Sequence, residues 1–134
     1  MIFMKKIFSL LLAWILFSGC FSDPNSPEGV VRIALDSAVK RDYEKAFSYL
    51  VDSKGNPLSE ERKAEIKSGM ESSPIKTFAI KGSAALTAEE AEKIKETNYD
   101  EVKVLIVEIK SAAGETEEER FFVARIGKAW KIVI

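Results

Sequence analysis

The stretch Val102 to Ile109 constrains the fold of this chain most. Val104, Leu105, Ile106 and Val107 are consecutive apolar residues, so a strand there is apolar on both faces. That suits a central strand covered on both sides for part of its length. Strand signals surround it. Ile75 to Ile80 alternates loosely and begins a sheet, and Ala113-Gly114-Glu115 makes a turn. Phe121-Phe122-Val123-Ala124 forms a third strand after the acidic run Glu117-Glu118-Glu119. Gly127-Lys128 is a tight hairpin, beyond which Trp130, Ile132 and Ile134 point one way.

Helical patterns precede the strands. Ser26-Pro27-Glu28 combines a capping serine, a proline at the first helical position and a carboxylate at the positive helix end. Val31, Ala34, Leu35 and Ala38 then fall at i, i+3, i+4 and i+7, which predicts a first helix over 27–40. Glu28 with Arg32 and Asp36 with Lys40 pair along its wet side. Asp42 caps a second helix over 43–51, carrying Tyr43, Ala46, Phe47 and Leu50 on one side. Lys54-Gly55-Asn56-Pro57 is a turn. Ser59 starts a third helix reaching about Met70, whose apolar face is thin, with Ile66 and Met70 as its main members. This helix is expected to lie across a surface or edge, partly exposed. Thr87-Ala88-Glu89-Glu90 is a capping box, placing a short, acidic, largely solvated helix over 88–96 between the first two strands.

Helices first and antiparallel strands after argue for an α+β domain over residues 26–134, its helices packed on one face of a curved four-stranded sheet. Ser26-Pro27-Glu28-Gly29-Val30-Val31, Asp42-Tyr43-Glu44-Lys45-Ala46-Phe47 and the closing Trp130-Lys131-Ile132 resemble the small nuclear-transport-factor-two-like lipoproteins of unknown function. The resemblance implies a cystatin-like cone, with a long helix and shorter helices laid into a strongly bent sheet. It covers most of the domain and rests on packing residues, so it speaks to fold more than to activity.

The amino-terminal stretch supplies an address. Lys5 and Lys6 precede an apolar run from Ile7 to Phe17, followed by Ser18, Gly19 and Cys20, the chain's one cysteine. A charged start, a short apolar core and small residues describe a secretory signal peptide. As a helix the run spans about 16 Å, roughly half a hydrocarbon core of about 30 Å. Phe17-Ser18-Gly19-Cys20 resembles the lipobox of bacterial lipoproteins. That resemblance implies cleavage between Gly19 and Cys20, a diacylglycerol on the Cys20 thiol and usually an acyl (palmitate-type) group on the new amino end. Two alternatives stand beside it: ordinary signal cleavage leaving a free thiol, and an uncleaved anchor. Residues 1–19 are then leader and 20–25 a short lipidated tether, with Met1 and Met4 both open as the start. Phe21, where that family's inner-membrane retention signal is aspartate, implies the periplasmic side of the outer membrane in a cell with two membranes.

What remains after cleavage is 115 residues with 18 basic and 21 acidic side chains, since Lys5 and Lys6 are the leader's only charges. A net charge of −3 with interspersed signs gives no nucleic-acid footprint. With no histidine, the commonest general base and metal ligand is missing, and a serine-histidine-acid triad cannot be built. Once Cys20 is acylated, no thiol is left for a disulfide, metal or nucleophile. Phosphate-binding loops and nucleophile elbows are absent from the sequence. Neither a cofactor nor a metal site is expected.

Tyr43, Phe47, Phe78, Phe122 and Trp130 are core aromatics first and candidate pocket lining second. Glu108 is the nearest candidate for a desolvated carboxylate base, against the plainer reading of a glutamate on the sheet's solvent side. The expectation is a non-catalytic, membrane-tethered binding or scaffolding module in the cell envelope, taking a small apolar ligand or an envelope protein, or forming a homodimer through the sheet face. The alternative is a small enzyme with a buried carboxylate base in a cone-shaped pocket; a third reading is a purely structural spacer.

Overall fold

The computed structural model describes residues 23–134. The leader, its cleavage site and the lipidation candidate Cys20 lie outside the described residues. Within them, no helix is long and apolar enough to cross a membrane.

The architecture is α+β: helices α1 (Pro27–Val39) and α2 (Tyr43–Phe47), strand β1 (Leu50–Val51), helix α3 (Glu60–Ser72), strand β2 (Ile75–Ala84), helix α4 (Ala88–Ile94), then strands β3 (Glu101–Ser111), β4 (Thr116–Ile126) and β5 (Ala129–Val133). The strands form one sheet in the order β1-β5-β4-β3-β2. It has five strands where four were expected, and it is mixed, because β1 runs parallel to β5. The extra strand comes out of the expected second helix, which stops at Phe47 instead of continuing to residue 51. Ladder bonds explain the exchange: the Ile132 N–H donates to Tyr49 O at 2.8 Å and the Ile134 N–H to Val51 O at 3.0 Å. Leu50 and Val51 are buried against that last strand, a packing gain that overrides local helical spacing.

The Ser26 hydroxyl accepts the Gly29 N–H at 3.0 Å and so caps α1, while the Asp23 carbonyl accepts the Ser26 N–H at 3.1 Å. Backbone contact between Asp23 and Gly29 is tight enough that a Cβ on Gly29 would strike the Asp23 carbonyl. The α4 capping box forms in both directions between Thr87 and Glu90.

Pairing register sorts β3 and β4 into two faces. Leu105, Val107 and Ile109 share the inner face with Phe121 and Val123, which join the core with Val30, Val31, Leu35, Phe47, Trp130 and Ile132. Val102, Val104, Phe122 and Ala124 occupy the outer face. Val104 is 1% exposed and Ala124 0%, and the segment carrying α4 crosses this face, tied down where Arg120 bonds Ala85 O and Glu90. The two-sided strand inferred from four consecutive apolar residues is thus covered on both sides. Ile134, 41% exposed, is the only large apolar side chain exposed among the described residues.

Candidate functional site

The inner sheet face is broad, and α1 does not cover all of it. Seven residues of α1 are buried, including Val30, Val31, Ala34 and Leu35. Helix α3 spans what remains, capped by the Ser59 hydroxyl accepting the Arg62 N–H at 3.1 Å and carrying Glu60 and Glu61 in its first turn. None of its residues is buried; Lys63, Ile66 and Met70 are half-buried. A helix with so narrow an apolar stripe cannot fill the space beneath it.

The consequence is a cavity of about 440 Å³ between α1, α3 and the sheet, lined by Leu35, Ile66, Met70, Ile109, Phe121 and Ile132, with Glu119 and Arg62 at its margin. A second hollow of about 290 Å³ shares Ile66, Met70, Ile75 and Ile109 with it and opens past Gly69 and Ser73 toward Glu115 and Glu117. The two make one trough under α3, apolar along its floor and acidic on the β4 side.

Register explains the acidic wall. Glu117 pairs with Ile109 and Glu119 with Val107, so both carboxylates project from the same face as Phe121 and Val123. Burial pushes the Glu119 carboxyl above its usual value, and Glu117 beside it pushes the same way. Among the described residues neither carboxylate forms an ion pair. Arg62 is engaged by Glu65 at 3.2 Å, and Arg120 reaches across the outer face to Glu90 at 2.7 Å. That contact and the Thr87 N–H hold Glu90 below the usual carboxylate range, the latter more strongly.

The aromatic residues singled out from sequence are not gathered at this trough. Phe47 and Trp130 are buried in the core, with Tyr43 and Phe78 half-buried at its edge. Phe122 projects from the opposite face of the sheet, paired with Val104. Phe47 does line a separate groove of about 410 Å³ near Leu58, Lys63 and Lys131. Lys131 there donates to Ser48 O at 2.8 Å and lies over the Tyr49 ring, so it ties strand to loop. Glu108 is on the outer face, opposite Glu118 and away from the trough. Glu117 and Glu119 escaped notice because the acidic run precedes the apolar part of its strand. Their signal was the two-residue period that continues through Phe121 and Val123. Among the described residues no group of acidic or thiol side chains has the arrangement of a metal site.

With this geometry, the fold is similar to the crystal structure of a DUF4783 family protein from Bacteroides ovatus ATCC 8483. The TM-score is 0.50 at 12% identity, over 83% of this chain and 92% of that one. Identity this low speaks for the shared α+β fold alone. No protein-family model matches the chain, and no curated protein matches its sequence.

Proposed function

We propose that this chain is a lipid-anchored envelope protein whose domain is a non-catalytic binding or scaffolding module on a cone of the nuclear-transport-factor-two-like kind. The carrying observation is the apolar trough beneath α3, within the usual range of about 300–1,000 Å³ for small-molecule pockets. The Lys5-to-Cys20 pattern supports the anchor at Cys20 and the envelope location. A small apolar ligand suits the trough better than a homodimer suits the sheet face, since little large apolar surface is exposed among the described residues.

One observation favours the enzyme reading: Glu119, a carboxylate with a raised pKa, stands at the trough. It stands at the exposed edge of the trough, however, and the wall's other carboxylate, Glu117, lies beside it on the same strand and not opposite it. Binding is the simpler use of such a site.

The test is native mass spectrometry of the full chain released from its own membrane. The reading expects acylated Cys20 and a retained non-covalent ligand, lost when Met70→Trp fills the trough. An unmodified thiol would remove the anchor, and a ligand held equally by the Met70→Trp variant would remove the site.

A further inference from the structure

Resting on the trough being a binding site, we propose that its ligand is a small amphiphile with a cationic head, its apolar body under α3 and its charge between Glu117 and Glu119. Apolar contact comes from both sides, Ile66 and Met70 of α3 above and Ile75, Ile109 and Phe121 of the sheet below. The wall offers two carboxylates on alternate residues of β4, side by side on one face of the sheet. Neither is neutralised from within the described protein. The cations that line it are committed elsewhere: Arg62 to Glu65 at 3.2 Å and Arg120 to Glu90 at 2.7 Å.

Two like charges beside an apolar surface lose hydration and repel each other. An ammonium group placed between them offsets both effects, whereas the carboxylate of a fatty acid would bring a third negative charge. The wall therefore selects for cations and against anions of the same shape.

The experiment uses the acylated full chain in phosphatidylcholine nanodiscs, with empty discs as the blank for partitioning. Calorimetry compares phenylbutylamine, phenylbutanol and phenylbutyrate, which share an apolar body and differ in charge. The expected result is amine binding about tenfold tighter than the alcohol, with the carboxylate weakest, as one charge-assisted contact allows. The double substitution Glu117→Gln and Glu119→Gln should bring the amine to the level of the alcohol, and Met70→Trp should weaken all three. If alcohol or carboxylate binds as tightly as amine, the trough still binds but the cationic preference is wrong. The preference is equally overturned if the doubly substituted protein, folded by circular dichroism, retains it. If none of the three binds, the binding-site reading fails and takes the ligand class with it.

Discussion

Helices α1 and α3 are both 13 residues long, both begin at a serine cap and both carry acid in the first turn. They nevertheless close the sheet in different ways. Helix α1, PEGVVRIALDSAV, buries seven residues and meets the trough only along Ala34, Leu35 and Ala38. Helix α3, EERKAEIKSGMES, buries none and leaves a trough. Cap and length make each segment helical, but the width of the apolar stripe decides whether a helix becomes core or cover. The candidate site lies on the covered side.

Substitutions can break or sharpen this contrast. The largest effect belongs to the sealed side. Leu105→Ala empties a site with 1% exposure and should cost about 2–5 kcal/mol. Ile66→Ala on half-buried α3 should cost about 1 kcal/mol. Urea midpoints at constant slope measure both, and equal losses would erase the distinction.

The glycines provide a second, smaller comparison with opposite signs. Gly29→Ala drives a Cβ into the Asp23 carbonyl and should destabilise by about 1–3 kcal/mol. Gly69→Ala meets nothing within 4 Å and should stabilise by up to about 1 kcal/mol through helix propensity alone. Thermal melts of the two variants should move in opposite directions.

A pH effect should be smaller still. The Glu119 carboxyl is raised above the usual 4.5, so folding favours its protonated form. That contribution is fully present below the unfolded value and is lost as pH rises through the folded one. Glu119→Gln should therefore gain on the native chain at neutral pH, with the advantage fading as pH falls through the raised folded value and gone below the ordinary glutamate value of about 4.3. Glu90 is lowered instead, so its contribution is present above the unfolded value and disappears on acidification through the folded one. An advantage for Glu119→Gln that grew on acidification would contradict the placement of the acidic wall.

Much of this fold was legible in the sequence. The caps at Ser26, Ser59 and Thr87 each engage the backbone N–H three residues on, and the thin face of α3 through Ile66 and Met70 is as expected. What local pattern could not supply was pairing with residues far along the chain. Leu50 and Val51 continue a helical spacing, yet they become strand because β5 passes beside them more than 80 residues later. The trough was hidden for the same reason: its lining gathers β2, β3, β4 and α3, and no spacing within one element announces an empty volume. The five aromatics singled out were a poor guide to it, because Phe47 and Trp130 fill the core, Tyr43 and Phe78 pack at its edge and Phe122 lies on the other face of the sheet.

Hydrogen exchange followed by mass spectrometry tests most directly whether α3 covers the sheet without sealing it. The amides of Glu60–Ser72 should exchange through a local opening far cheaper than global unfolding, while those of Val104–Val107 should exchange only when the whole domain unfolds. Protection in α3 equal to that in β3 would show a sealed helix and contradict the account.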